Sequence, residues 1–152
     1  LYIIVSIHTG LRISDVLRLK WADLIKDVLV IKEKKTKKLR TIKINSTIHS
    51  VLSKFNPIDK DDYTFKSQKG TVFSVQQINR VLKEIFKTET QHLNISSHSL
   101  RKSFGRRVYE NNNESEKSLL YLSELFNHTS LSITRKYLGI RQEELNDIYM
   151  SL

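Results

Sequence analysis

Cysteine is absent from this 152-residue chain, and the chain contains only one proline and four glycines. The lack of cysteine excludes disulfide bonds, zinc sites built on thiolates and cysteine nucleophiles. It also fits a reducing compartment, so we expect the protein in the cytoplasm. A chain of this length buries about two-thirds of its unfolded surface, so it needs no disulfide or metal to form a core.

Long hydrophobic runs are missing as well. The longest, such as residues 1–7, are too short to span a bilayer, and the N-terminus shows no secretory signal. We therefore expect no membrane partner. No repeat, low-complexity tract or linker divides the chain, which starts without methionine inside an apolar helical pattern. We expect one domain, residues 1–152, taken from a longer protein.

Acidic residues are few relative to basic ones. The chain has 26 Lys and Arg against 16 Asp and Glu, which gives a formal net charge of +10. Each phosphate that Lys or Arg neutralises releases condensed counterions, so polyanions are natural partners of such a chain. A charge of this size also serves solubility alone. The charge therefore suggests a nucleic-acid partner without deciding it.

Apolar periodicity predicts mostly helices and one β-hairpin. The run VLVIKEKKTKKLRTIKI, residues 28–44, alternates with period two around a lysine-rich turn, which is typical of a hairpin. Residues 21–24 read as a short connection, and residues 63–65 as a short edge strand. Gly10 stands where a left-handed cap would end the first helix. Helices are expected over 1–8, 12–20, 47–54, 75–88, from about 97, and over 115–126, 130–139 and 141–152.

Residues 96–137 concentrate polar groups of the kind found in active sites. His98 and Arg101 are three residues apart, so they share one face of a helix that starts one residue before His98. Tyr137 follows His128 by nine residues, so one turn between two helices could bring both side chains to the same polar face. We interpret this segment as part of an active site.

The chemistry of these side chains suits phosphoryl transfer without a metal. A guanidinium stays protonated and binds two phosphate oxygens, so Arg12 and Arg101 could clamp a phosphodiester. Tyr137 would be the nucleophile and form a covalent ester. Histidines titrate near neutrality, which suits His98 and His128 to positioning and proton transfer. A lysine on the hairpin could donate a proton to the leaving oxygen.

In this order, these residues resemble the catalytic domain of the tyrosine recombinases, the phage- and transposon-type integrases. The resemblance covers nearly the whole chain through four sequence boxes: TGLRISDVLRLKW, KEKKTKKLR, HSLRKSF and FNHTSLSITRKYLGI. One box alone would be weak, but four in the right order make a strong match. The resemblance implies an α+β fold, mainly helical with a small antiparallel sheet. Residues 1–152 would be its catalytic domain, without the N-terminal DNA-binding domain.

The same resemblance implies the catalytic roles. The two arginines would clamp phosphate, the two histidines would position groups and move protons, and the tyrosine would attack. Among four crowded hairpin lysines, Lys35 is chosen because it precedes Arg40 by five residues, as in family members with a conventional hairpin. Lys34 and Lys37 remain open. The implied catalytic set is Arg12, Lys35, His98, Arg101, His128 and Tyr137.

Some residues near these boxes have alternative explanations or depart from the family pattern. Asp15 could orient Arg12 or a histidine, but compensation of the helix dipole explains it equally well. The family usually has glycine before the closing-box histidine, where this chain has Asn127. This chain also has no proline after the hairpin, where Lys43-Ile44 stand in place of the family's usual proline. Neither change removes a chemical group.

The implied activity is site-specific recombination. Double-stranded DNA would be cut one strand at a time through a 3′-phosphotyrosyl intermediate, and rejoined to a partner strand in a homotetramer. No metal or nucleotide cofactor would be required. Two alternatives are a type IB topoisomerase, which rejoins the same strand, and a DNA-binding module without catalysis. The second alternative is disfavoured because Arg12, Arg101 and Tyr137 are all present.

Overall fold

Residues 1–57, 59–87 and 95–152 are described by a computed structural model of the chain. Within these ranges the fold consists of nine α-helices and one two-stranded antiparallel sheet, which confirms the predicted class, mainly helical with a small antiparallel sheet. The chain divides into two compact units, Leu1–Arg101 and Lys102–Leu152. The elements are α1 (Tyr2–Thr9), α2 (Ile13–Val16), α3 (Trp21–Ile25), β1 (Val28–Lys32), β2 (Leu39–Lys43), α4 (Ser46–Leu52), α5 (Val75–Ile85), α6 (Ser97–Asn111), α7 (Glu116–Phe126), α8 (Leu131–Leu138) and α9 (Ile140–Met150).

The first unit is built around apolar side chains from α1 to α6 and from the hairpin. Their burial removes the largest apolar surfaces of these elements from water, which is the main force that holds such a unit together. The fully buried members include Val5, Val16, Leu19, Leu24, Leu29, Ile48 and Leu82.

The second predicted helix is much shorter than expected. A helix over residues 12–20 is wrong, because α2 ends at Val16 and Lys20 is extended and paired with Tyr63 in a β-bridge. The carbonyl of Leu19 accepts from the amide of Thr64 at 2.9 Å instead of from a helical donor. The short connection predicted over residues 21–24 is α3, whose first turn is closed by Asp23.

The hairpin prediction is confirmed. Strands β1 and β2 pair antiparallel with Leu29 opposite Ile42 and Ile31 opposite Arg40. Leu29 faces the core, whereas Val30 is exposed on the other face. The edge strand predicted over residues 63–65 is absent from the described ranges, where only isolated bridges occur near it.

Local capping signals place most of the remaining helix ends. The side chain of Asn45 accepts from the amide of Ile48 at the start of α4. Ser74 and Gln77 form a reciprocal capping box at the start of α5. Helix α5 ends at Ile85, and the predicted end near residue 88 lies outside the described residues.

In the second unit, α7 and α8 pack with the later part of α6. Ser115 and Ser130, at the predicted starts of these helices, cap the N-termini of α7 and α8, and Gly139 ends α8 in a left-handed conformation. The buried apolar residues of this second unit are Tyr109, Leu119, Leu122, Phe126, Leu138 and Ile140. The apolar residues in the later part of α9, in contrast, are exposed: Leu145, Ile148, Tyr149 and Met150. No helix in the described part of the chain combines the length and hydropathy needed to cross a bilayer.

Candidate active site

The two predicted clamp arginines meet at the turn after α1. Gly10 adopts φ 59°, and this left-handed conformation lets the chain reverse so that Arg12 becomes the N-cap residue of α2. From α6, Arg101 reaches back with Nη1 and donates to the carbonyl of Gly10 at 2.6 Å. Arg101 is only 7% exposed. The fold therefore brings Arg101 to the backbone two residues before Arg12.

Arg12 is held from the hairpin side by a carboxylate. Its Nη1 donates to Oε2 of Glu33 at 2.8 Å, and the hydroxyl of Thr36 donates to the same oxygen at 2.6 Å. Arg40 approaches the other carboxylate oxygen at 3.5 Å and also donates to the carbonyl of Thr9 at 2.9 Å. Glu33 is only 4% exposed, so it is a buried anion between two arginines.

The electrostatics of this group follow from burial and from the opposite charges. Burial alone raises the pKa of Glu33, but the hydrogen bond from Thr36 and the charges of Arg12 and Arg40 outweigh it, so the pKa is lowered. Burial lowers the pKa of Arg40, and the nearby charge of Glu33 opposes that change. Glu33 therefore stays ionised at neutral pH.

Asp15 connects α2 to the turn of the hairpin. Its side chain is fully buried, and Oδ1 accepts from the backbone amide of Lys34 at 2.8 Å. One role predicted for Asp15 is to orient Arg12 or a histidine, but this hydrogen bond is to a backbone amide and orients neither. Asp15 instead fixes the position of the lysine-rich turn relative to α2.

The candidate lysines lie in the hairpin turn, residues 33–38. The turn is closed where the amide of Glu33 donates to the carbonyl of Lys38 at 2.9 Å, and where the amide of Lys37 donates back to Glu33 at 3.0 Å. Lys37 has a positive φ of 60°. Lys34, Lys35 and Lys37 are all exposed, so the choice of Lys35 stays a prediction.

His98 lies in the first turn of α6, one turn before Arg101. The amide of Ser97 donates to the side chain of Asn79 at 2.9 Å, which anchors the start of this helix. The predicted start of the helix is thus confirmed, and His98 is exposed there. His98 and Arg101 are three residues apart on one helix, as expected.

In the second unit, His128 and Tyr137 lie side by side. Their ring centroids are 5.4 Å apart and the ring planes meet at 68°. Phe126 packs edge to face against Tyr137 at 5.3 Å. Nδ1 of His128 is hydrogen-bonded to the hydroxyl of the buried Thr134 at 3.0 Å. These contacts fix both rings that the sequence singled out in the closing box.

The backbone between α7 and α8 explains this placement. Asn127, at φ 56° and ψ 49°, occupies the left-handed conformation in which the family usually has glycine. The amide of His128 then donates to the carbonyl of Ser123 at 2.9 Å, which closes the helix end. Asparagine adopts this conformation more readily than most residues, so the departure is tolerated.

Four residues in these surroundings were given no role from the sequence, although they lie in the sequence boxes. They are Glu33, Thr36, Arg40 and Thr134. Glu33 is the only acid in the hairpin segment, residues 28–44, and this isolation was the signal that could have found it. The other three carry no such signal, because their partners are set by packing.

The chain is similar in sequence and in overall fold to known proteins. The model of the Phage integrase family matches residues 1–144. The probable integrase/recombinase YoeC of Bacillus subtilis is 34% identical over 96% of this chain and 80% of its own length. The tyrosine recombinase XerD of Listeria monocytogenes is 29% identical over 93% of this chain and 50% of its own length. A crystal structure of the XerH recombinase, in a post-cleavage complex with a palindromic difH substrate, has a TM-score of 0.69 at 22% identity, over 97% of this chain and 44% of that one.

Proposed function

The chain belongs to the phage integrase family and has the fold of a tyrosine recombinase catalytic domain, and from this we propose that it cleaves and rejoins DNA site-specifically. The observation that carries the proposal is the pairing of His128 with Tyr137 in one unit, with Arg12 and Arg101 at one turn of the other. The relatives are named as recombinases or integrases, which favours this function over a type IB topoisomerase.

In the proposed reaction the phenol oxygen of Tyr137 attacks the phosphorus of a DNA phosphodiester. A bond from tyrosine to the 3′-phosphate forms, the bond to the 5′-oxygen breaks, and that oxygen takes a proton and leaves as a hydroxyl. The phosphotyrosine linkage keeps the energy of the broken bond. A 5′-hydroxyl from a partner strand can then reverse the step and rejoin the DNA.

Arg12 and Arg101 would stabilise the negative charge that gathers on the phosphate oxygens. Loss of one such donor typically costs about a hundred- to a thousandfold in rate. This role is supported by their positions at the Gly10 turn, where Arg101 donates to the carbonyl of Gly10 and Arg12 donates to Glu33. His98 and His128 would position the phosphate and move protons, with His128 held in one ring orientation by Thr134.

The proposed partner is double-stranded DNA carrying a recombination site, bound by a homotetramer. Support comes from the net charge of +10 and from the recombinases of the same fold that are seen with DNA substrates. The chain spans about four-fifths of the YoeC relative and half of the XerD relative. A preceding DNA-binding region in a longer protein stays part of the proposal, as does a cytoplasmic location.

A trapped covalent intermediate tests the proposal. The probe is a pool of nicked duplexes with randomised sequence on both sides of the scissile position, so that no target site need be known. After cleavage the short fragment that carries the new 5′-hydroxyl diffuses away, and protein joined to DNA appears as a shifted band in a denaturing gel. The band should form in the presence of a metal chelator.

Tyr137→Phe should abolish the band and leave salt-sensitive DNA binding nearly unchanged. Tyr121→Phe is the matched control, because Tyr121 is an exposed tyrosine on α7. If the band persists in Tyr137→Phe, the nucleophile is misassigned. If the unaltered chain forms no band with any duplex in the pool, the proposed activity is wrong.

The general acid can be identified separately. Sulfur in place of the leaving 5′-oxygen departs without a proton donor, so it should restore cleavage only to the variant that lacks the true acid. We expect rescue of Lys35→Ala. Rescue of Lys34→Ala or Lys37→Ala, with none for Lys35→Ala, would show that another lysine of the turn is the acid.

A further inference from the structure

Glu33 contacts two arginines, and its shorter contact is with Arg12. This contact is not needed to hold Arg40 in place. Oε2 of Glu33 lies 2.8 Å from Nη1 of Arg12, whereas Oε1 lies 3.5 Å from Nη1 of Arg40. Arg40 has a second acceptor in the carbonyl of Thr9, at 2.9 Å. A carboxylate that served only to neutralise Arg40 would not require the geometry seen at Arg12.

The oxygen that binds Arg12 is itself held in place. The hydroxyl of Thr36 donates to Oε2 at 2.6 Å, and the backbone of Glu33 closes the turn through Lys37 and Lys38. Glu33 is only 4% exposed, and this burial strengthens its interactions because little water competes for the carboxylate. Glu33 is therefore a rigid support for the guanidinium.

Two hydrogen bonds join the α2 region to the hairpin turn, and each of the two elements supplies one acceptor. Asp15, from α2, accepts from the backbone amide of Lys34, while Glu33, from the turn, accepts from Arg12. Two separate contacts of this kind fix position and rotation more firmly than one. The turn that carries the candidate lysines and the residue that carries the candidate clamp are thus held together before any DNA binds.

We propose that Glu33 is a positioning residue that orients the guanidinium of Arg12 for the DNA phosphate. The inference rests on the proposed function and extends it to Glu33, a residue of the hairpin box to which the resemblance gives no role. A guanidinium has five N–H donors, so an arginine can bind a carboxylate on one edge and a phosphate on another. Glu33 acts through Arg12 and does not touch the reacting atoms.

A double-mutant cycle separates positioning from a general structural role. The measured quantity is the single-turnover rate of covalent adduct formation on a duplex recovered from the randomised pool. Glu33→Gln should slow this rate by about 10- to 100-fold, as is typical for residues that orient a catalytic group. In an Arg12→Ala background the same substitution should change the rate less than about threefold, because its partner is already missing.

Glu110→Gln is the matched control, since Glu110 pairs with Arg106 on the exposed surface of α6. Its adduct rate should equal that of the unaltered chain. Equal slowing by Glu33→Gln in both backgrounds would overturn the proposal, because it would mean that Glu33 acts independently of Arg12. If Glu33→Gln does not fold, Glu33→Asp keeps the charge beside Arg40, shortens the reach to Arg12, and enters the same cycle.

A measurement without catalysis distinguishes failure of this inference from failure of the proposed function. In the 152-residue chain, restricted rotation should give Arg12 separate side-chain Nη signals by NMR, assigned through their loss in Arg12→Ala. The signals should average in Glu33→Gln and persist in Glu110→Gln. Averaged signals in the unaltered chain would overturn the positioning role. Separate Arg12 signals in a chain that forms no covalent adduct would support the contact between Glu33 and Arg12 but would contradict the proposed recombinase activity.

Discussion

The imidazole of His128 and the phenol ring of Tyr137 lie with their centroids 5.4 Å apart and their planes at 68°. An edge-to-face arrangement at this distance is favourable for aromatic rings and leaves each ring little freedom to turn. It depends on the tight turn at Asn127, which ends α7 and sends His128 back toward α8. The geometry of this pair is thus sensitive to the backbone of the turn.

Asn127→Ala should destabilise the protein and slow adduct formation. Alanine at φ 56° places its Cβ against the following carbonyl, which costs about 1–2 kcal/mol relative to a relaxed conformation. We expect the free energy of unfolding in urea to fall by about 1 kcal/mol, because asparagine already carries part of that cost. Asn127→Gly, the usual residue of the family, should be neutral or stabilising. A stable Asn127→Ala variant would show that the turn relaxes.

Gly105→Ala should be the more severe change within the second unit. A Cβ at Gly105 would lie 2.6 Å from Cδ2 of Leu138 and 3.0 Å from the ring of Phe126. Overpacking of this kind costs about 1–3 kcal/mol, and here it would push on the residue next to Tyr137. We expect a lower urea midpoint and a slower adduct rate.

The control for Gly105→Ala is Arg107→Ala, on the exposed side of the same helix. Surface changes of that type usually alter stability by less than about 0.5 kcal/mol. Equal stability of the two variants would mean that Leu138 and Phe126 move aside at no cost, and that α6 and α8 are not closely packed.

Arg40→Ala should lower stability more than the removal of a surface arginine. The substitution leaves Glu33 with Arg12 and Thr36 but removes its second charge partner, and the carbonyl of Thr9 loses a donor. We expect a loss of about 2–3 kcal/mol in the free energy of unfolding, somewhat below the usual cost of breaking a buried ion pair.

The comparison for this prediction is Arg106→Ala, which breaks an exposed pair with Glu110. Exposed pairs contribute about 0–1 kcal/mol, so its urea midpoint should hardly change. Similar losses for the two arginines would indicate that the Glu33 group is as well solvated as the surface pair.

Acid should destabilise the chain in part through Glu33. Because its pKa is lowered in the folded state, the unfolded chain binds the proton more readily. The stabilisation is present above the ordinary glutamate pKa of about 4.3 and is lost as pH falls through the lower folded-state value. Urea midpoints measured from pH 7 to pH 3 should therefore decline less steeply below pH 4.3 in Glu33→Gln than in the unaltered chain. Glu110→Gln should follow the unaltered curve.

Helix ends with local capping signals could be predicted from the sequence. Gly10 ends α1, Ser115 starts α7, and Ser130 and Gly139 bound α8, as expected. These signals act within about one helical turn, so they hold whatever the rest of the chain does. The end of α2 could not be predicted in this way, because Lys20 is extended and pairs in an isolated β-bridge with Tyr63, which is distant in the sequence.

In the candidate site, too, some features could be predicted from the sequence and others depend on the tertiary structure. Residue types and order by themselves were enough to indicate the family and to predict a catalytic set, because phosphoryl transfer needs particular side chains. Only the tertiary structure decided that Arg101 binds the carbonyl of Gly10, 91 positions away, and that Arg12 binds Glu33, 21 positions away. Such contacts depend on how buried faces pack, and sequence spacing carries no information about partners at that range. The surroundings of Arg12, which we propose to control its orientation, therefore became visible only in the folded chain.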